Sequence, residues 1–414
     1  MASPKLRFKE FSGDLVKSDF TKAMVQIIDG DRGNNYPKSD DFHDEEFCLF
    51  LNAGNVTKYG FSFENTQFIT KEKDSLLRKG KLKRNDLVIT TRGTVGNVAY
   101  FDKSIPFENM RINSGMVLAR CKDNVIADYI NQFLKSDLFE KWLNKNAFGS
   151  AQPQLTVKLL NSIEVNYPPK EEQSKIASFL SAVDEKISQL TQKHELLSQY
   201  KQGMMQKLFS QQIRFKADDG RDFGEWEEKK LSDIALLTSS KRVHLSDYVA
   251  EGIPFFRGKE ISELKSGVFP SDILYISREQ FNNIKNKFDA PKNGEILITA
   301  VGTIANTYLI NTNYDFYFKD GNLIWLKEIK ANPKFLMIML DAFKKDVVGS
   351  AIGSTQKALT ITNLNKLIIK VPCIEEQTKI ANFLTAIDQK IEVVAQQIAQ
   401  TKQWKKGLLQ QMFV

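Results

Sequence analysis

EEQSKIASFLSAVDEKI runs from Glu171 to Ile187, and EEQTKIANFLTAIDQKI runs from Glu375 to Ile391, 375 − 171 = 204 residues further along a chain of 414. Around the first copy, seam residues recur in steps of four and three: Ile176, Leu180, Val183, Ile187, Leu190, His194, Leu197 and Lys201. The second copy keeps these steps through Ile380, Leu384, Ile387, Ile391, Val394 and Ile398, and reaches Lys405 two steps later. Alternating threes and fours make a heptad seam, and two seams in one chain predict helices that pack on each other. Pro168, Pro169 and Pro372 precede the runs, and Glu171, Glu172, Glu375 and Glu376 suit the positive end of a helix dipole. A helix over 170–209 would be about 60 Å long, so an antiparallel pair predicts a rod that spaces whatever lies at its ends. Gly203 and Gly407, near the helix ends, predict either a frayed end or kink or the close approach of another backbone.

The repetition reaches beyond the helices. From Gly149 against Gly353 to Phe209 against Phe413 the copies align without a gap, with 26 of 61 positions identical. Upstream, LRFKEF at Leu6 answers IRFKAD at Ile213, and DLVITTRGTVGN at Asp86 answers EILITAVGTIAN at Glu295. Such a period decides the architecture before any local reading does. It predicts two globular units, 1–150 and 213–352, each followed by a helical region, 151–212 and 353–414. Short β-branched runs such as Leu87–Thr91 and Ile296–Thr299 predict strands, and Asp128–Leu143 and Pro333–Phe343 predict amphipathic helices. The expected fold is α+β, with mixed α and β globular units separated by two long antiparallel coiled-coil-like helices in a pseudo-two-fold repeat.

Composition fits a packed protein: 42% of residues are apolar, and 58 basic against 50 acidic residues leave a formal charge of +8. An excess of positive charge favours an anionic partner without naming one. Cys48, Cys121 and Cys373 are odd in number and lack metal-ligand spacing, which predicts neither a disulfide framework nor a metal site and suits a reducing cytoplasm. The opening MASPKLRFKEFSGD has no apolar core of the kind a secretory signal carries, and Lys327, Lys330 and Lys334 interrupt the most apolar window. A soluble, unexported chain with no membrane partner is expected.

Catalytic signatures are missing. NYPP at 166–169 holds the residues of an adenine-gripping loop in the wrong order, with no Gly-rich turn for a methyl donor beside it, and reads as a helix-start loop. DEK at 184–186 and DQK at 388–390 resemble the end of a nuclease metal site, yet they fall within the heptad helices, where Asp and Lys two apart face different ways and predict a solvated surface. There is no phosphate-binding GxxxxGK[ST] loop, and His43, His194 and His244 are scattered. The expectation is a chain with no catalytic residues and no bound metal.

Polar, small-residue loops beside the predicted strands remain. TTRGTVGN over Thr90–Asn97 sets Thr91, Arg92, Gly93 and Thr94 together, a mixture suited to phosphates and base edges. Its counterpart Ala300–Asn306 keeps Thr303 but has Val301 in place of the arginine, so the two units should read different things. Further candidates in the first unit are Arg32, Asn52, Asn55, Lys81, Lys83, Arg84, Arg111 and Asn113. In the second they are Lys241, Arg242, Arg257, Lys259 and Lys319. Any one of these loops could be an ordinary solvated turn, but matching loop positions in both units favour a shared recognition face. A DNA-binding regulator or architectural clamp would carry the same features, and a self-sufficient DNA methyltransferase would need cofactor motifs that are not there.

PPKEEQSKIASFLSAVDEKI and PCIEEQTKIANFLTAIDQKI, the tails YKQGMMQKLF and WKKGLLQQMF, and the hinge RFKADDGRDFGEWEEKKLSDI resemble the specificity subunit of type I restriction-modification systems over essentially the whole chain. NDLVITTRGTVGN and GIPFFRGKEI look like pieces of its target recognition domains. The resemblance implies two recognition domains that each read half of a split double-stranded DNA sequence, with helices that set the unread spacer. It implies docking of two modification (methyltransferase) subunits, and of restriction (translocase-nuclease) subunits through the complex. S-adenosylmethionine, ATP and Mg would then belong to those partners, and this chain would bind no cofactor. One departure stands out: SGDLVKSDF in the first unit lacks the tryptophan of FGEWEEKKL in the second.

Overall fold

The computed structural model describes residues 4–147, 154–351 and 358–414. The expected borders at 150/151 and 352/353, with Gly149 and Gly353, lie outside the described residues. The chain divides into two units, residues 1–192 with 394–414, and residues 193–393. Each therefore holds the N-terminal part of one long helix and the C-terminal part of the other, Lys170–Phe209 and Ile374–Met412.

In the first unit, strands β1 (Val25–Asp29), β2 (Leu87–Thr90), β3 (Val98–Tyr100) and β4 (Met116–Cys121) form an antiparallel sheet in the order β1-β4-β2-β3. Ile89 lies opposite Val117 and Val98, so the buried runs of β2 and β4 meet in the sheet centre. A smaller sheet places Cys48–Leu51 antiparallel to Phe68–Ile69 and parallel to Met110–Ile112. The second unit repeats this with β5 (Leu236–Thr238), β6 (Ile296–Thr299), β7 (Thr307–Leu309) and β8 (Leu323–Lys327), ordered β5-β8-β6-β7. Ile253–Phe256 there takes the role of Cys48–Leu51 and runs parallel to Tyr317–Phe318.

Helix α1 (Ala127–Phe133) stops earlier than its amphipathic pattern suggests: Ser136 turns back to the Phe133 carbonyl with both its amide and its hydroxyl, and a new helix runs Asp137–Ala147. Its counterpart α2 spans Pro333–Ala342, with Asn332 capping the Phe335 amide.

The seam residues do more than hold a helix pair. Ile176, Leu180, Val183 and Ile187 join one core with Phe20, Ile89, Tyr129 and the terminal Leu408, Met412 and Phe413. Ile380, Leu384, Ile387 and Ile391 join the second unit's core with Leu208, Phe335 and Trp226. Leu190 and Val394 are buried, whereas Leu197 and Ile398 are half-buried.

Asp184 and Asp388 stay partly exposed, 37% and 48%, as their spacing suggests, but each is taken by a lysine. In the first unit Asp184 accepts from Lys405 at 2.5 Å, and in the second Asp388 accepts from Lys201 at 2.6 Å. The lysines that interrupt the seam are thereby neutralised by the other helix. Both helices run through Gly203 and Gly407, and no other backbone approaches either: a Cβ would meet nothing at Gly203 and only Gln411 Nε2 at 3.9 Å at Gly407.

The helix starts are clamped alike. Arg7 meets buried Glu172 through Nε and Nη2, as Arg214 meets buried Glu376. Trp226 adds a 3.2 Å bond to Glu376, a partner the first unit lacks. Gln173 and Gln377 each donate to the proline carbonyl five residues earlier and accept from the amide before α1 or α2, at Ile126 and Asn332.

Candidate nucleic-acid interface

The loop after β2 is a rigid hydroxyl-bridged turn. The Thr90 hydroxyl donates to the Thr94 carbonyl and accepts from the Asn97 amide at 3.0 Å, while the Gly96 amide returns to the Thr90 carbonyl. After β6 the same frame recurs: the Thr299 hydroxyl donates to Thr303 and accepts from Asn306, and Ala305 returns to Thr299. Gly93 and Gly302 occupy the left-handed region, at φ 73 and 76°, where a glycine is needed. The tips, Arg92 to Thr94 and Gly302 to Thr303, are exposed. Leu155 and Leu359 fasten each frame from behind by donating to Thr91 and Ala300.

Other loops gather on the first frame. The amides of Thr91 and Arg92 and the Thr91 hydroxyl all reach the Gly115 carbonyl, and Arg32 Nη2 lies 3.4 Å from the Ser114 carbonyl. Gly30 packs so closely that a Cβ there would collide with the Asn113 carbonyl, and a Cβ on Gly80 would lie 3.3 Å from the Gly30 Cα. Loops 29–36, 78–81, 90–97 and 113–115 thus form one face. In the second unit, Ala300 donates to the Asn322 carbonyl, Arg242 pairs with Asp320 at 2.8 Å, and Lys319 donates its amide to Phe256. Loops 239–244, 256–259, 299–303 and 319–322 are brought together in the same way.

The expected residues divide into two groups, and Asn52, Asn55, Lys83, Arg84 and Arg111 lie outside the loops of these faces. Arg32, Lys83, Arg92, Gly93, Thr94, Lys241, Arg242, Lys259, Thr303 and Lys319 are exposed. Arg92 is steadied by the Gln154 amide oxygen, 3.1 Å from Nη2 when that oxygen faces the guanidinium. Lys241 Nζ lies 4.9 Å above the Phe288 ring, and Lys259 is loosely paired with Glu263.

The second group makes its bonds within the fold, and Lys81 alone among it is exposed. Arg111 is buried: Nε donates to Asp74 at 2.5 Å, Nη1 to the Lys79 carbonyl, and Nη2 to the carbonyls of Asp74 and Leu77, which uses four of its five N–H donors within the fold. Burial pushes the Asp74 carboxyl up, but bonds from Lys81 and Arg111 outweigh it and hold the carboxyl below the usual range, which also occupies Lys81. Arg84 lies 4.2 Å from the Phe101 ring and donates to the carbonyls of Asp102, Ile105 and Phe107. Asn55 is buried and donates to Ser62 and Asn65, while Asn52 caps the turn before it. Thr91 is buried through its bond to Gly115, Asn113 closes its own turn onto Gly115, and Arg257 is held by Glu260.

Gly30 and Ser114 lie in DGDRGNNYP from Asp29 and RINSG from Arg111, polar loops that the sequence also offers; Gln154 was missed, because it acts through long-range packing that leaves no local sign. Among the described residues no cluster of three or more His, Cys, Asp or Glu could hold a metal, and no helix is long and apolar enough to cross a membrane.

Two frames of one design, each with different exposed tips and seated on matched helices, define a two-module binding chain. The chain belongs to the type I restriction modification DNA specificity domain family, which matches residues 22–199 and 224–403. It is 25% identical to the type I restriction enzyme MjaVIII specificity subunit of Methanocaldococcus jannaschii, over 96% of this chain and 89% of that protein. It is 29% identical to the putative specificity subunit S.HindORF215P of Haemophilus influenzae, over 57% and 58%. In fold it resembles the S subunit of a type I restriction-modification system from M. genitalium, with a TM-score of 0.61 and 17% identity, over 100% of this chain and 99% of that one.

Proposed function

We propose that this chain selects the DNA target of a type I restriction-modification enzyme and carries no catalytic step itself. The first face, led by Arg92 and Arg32, reads one half of a split double-stranded site, and the second, led by Thr303, Arg242 and Lys319, reads the other. The two long helices set the unread spacer and dock two modification subunits; restriction subunits join through the complex. S-adenosylmethionine, ATP and Mg are used on those partners.

The observation that carries this reading is the pair of Thr-bridged frames: identical bonding behind tips that differ at Arg92 and Val301. Hydrogen bonds to base edges specify sequence, whereas phosphate contacts set register, so equal scaffolds with unequal tips suit two different half-sites. The test is to express the chain with its partner subunits and map methylated adenines and cytosines in the host DNA. A bipartite motif with a fixed gap is expected; an undivided motif, or none when the partner subunits are active, would remove the reading.

A further inference from the structure

The sheet registers of the two units show which exposed cations recur. Thr90 of β2 lies opposite Met116, and Thr299 of β6 lies opposite Leu323, so these pairs are equivalent. Two residues further, Leu118 faces Ile28 and Trp325 faces Thr238, which puts β1 and β5 in matching register. Arg32 lies 32 − 28 = 4 residues beyond the first and Arg242 lies 242 − 238 = 4 beyond the second, and both are exposed. One arginine therefore stands at the same place on both faces.

Arg92 does not recur. Its equivalent after β6 is half-buried Val301. Behind each tip the same bond brings a second residue alongside: the Leu155 amide donates to Thr91 at 3.1 Å, and the Leu359 amide to Ala300 at 2.9 Å. The residue before that leucine is Gln154 in the first unit and Ala358 in the second. Arginine and glutamine thus occur together in one unit, and valine and alanine take both places in the other.

The phosphate backbone is chemically alike along both halves of a DNA target, so a contact that sets register is wanted on both, and the matched Arg32 and Arg242 suit it. A cation kept on one side only, together with its neighbour, follows what differs between the halves, and that is the bases. Gln154 Oε1 accepts from Arg92 Nη2 at 3.1 Å and from Nε at 3.3 Å, the amide orientation in which donors do not face donors. This contact takes the side edge of the guanidinium. The end edge, with one N–H on each Nη, is not used by it. Two parallel donors in one plane match the O6 and N7 acceptors of guanine, the base that offers two acceptors in the major groove.

We infer that Arg92 reads a guanine in the first half-site, and that Gln154 is its positioning residue, holding the guanidinium by its side edge so that the end edge meets the base. Val301 and Ala358 make no such contact at the equivalent base of the second half-site. Guanine reading by Arg92 rests on the target-selection function proposed above.

Methylation by the active enzyme, assembled from this chain and its partner subunits, tests it on targets in which each base pair of the motif is replaced in turn. Arg92→Ala should lower the preference for one G·C pair, in one half-site, by about 5- to 100-fold, the range of a bidentate base contact. Gln154→Ala should relax that same base pair by about two- to tenfold, the worth of a hydrogen bond, and Gln154→Glu, which keeps the acceptor, should retain it. Preferences at the other positions should not move. If Gln154→Ala leaves the base preference intact, or slows methylation of every target alike, Gln154 has no positioning role and the inference fails. A bipartite motif in which no guanine answers to Arg92→Ala, or a loss spread equally over both halves, also overturns it while leaving the two-half reading standing; an undivided motif overturns both.

Discussion

Arg7 holds Glu172 through two hydrogen bonds of 2.7 Å across 165 residues of chain, and Glu172 is almost wholly buried. Removing one member of such a pair leaves a charge in the interior without its partner. Arg7→Ala should lower first-unit stability by about 2–4 kcal/mol, the lower end reflecting the partial exposure of Arg7. Urea unfolding followed by a probe in that unit measures this; an unchanged midpoint would mean water replaces the guanidinium at no cost.

Arg92→Ala should weaken recognition of one half-site alone, by about 1–3 kcal/mol if the guanidinium makes a bidentate base contact. Competition binding with targets altered in either half reads the outcome. An equal loss on both halves would make Arg92 a backbone-positioning residue.

Gly203→Ala and Gly407→Ala should each stabilise the fold by up to about 1 kcal/mol, because helical glycine forfeits that much relative to alanine and each Cβ has room. Denaturation of the full chain tests the stability. If methylation by the assembled enzyme falls while stability rises, these glycines serve subunit docking.

Asp74 gives the first unit a specific acid sensitivity. Folding lowers its pKa, so the unfolded chain binds that proton more tightly. The stabilisation is complete above about pH 4, the ordinary aspartate value, and is lost as pH falls through the lower folded value. Asp74→Asn should cost about 3 kcal/mol at neutral pH by stranding Arg111, and should flatten the loss below about pH 4. Unfolding curves across that range compare the two slopes.

A heptad inserted in both long helices should lengthen the unread spacer by a fixed step and leave both half-sites unchanged. Sequencing of methylated DNA would show it; an unaltered gap would mean the helices do not set the distance.

The helices and paired loops were legible because both rest on local pattern. Ile176 to Leu190 announce their period, and TTRGTVGN and LITAVGTIAN announce each other. Partnership was not legible. Arg92 follows a strand and Arg111 lies within one, and nothing nearby says that Asp74, 37 residues from Arg111, takes it into the interior while Arg92 stays at a tip. Asp184 likewise gave no sign of Lys405, its partner, 221 residues distant. A charged side chain's fate is set by the group folding brings to it, and period alone does not carry that information.

The Thr-bridged frames engage their tips through backbone groups, leaving the exposed side chains outside the frame's own hydrogen bonds. Substitutions at exposed positions outside such frames typically change folding by no more than about 0.5 kcal/mol, whereas a base contact is worth several times that. Target preference can therefore drift almost freely under mutation while the helices stay constrained. New specificities are within reach of single changes that the fold barely registers.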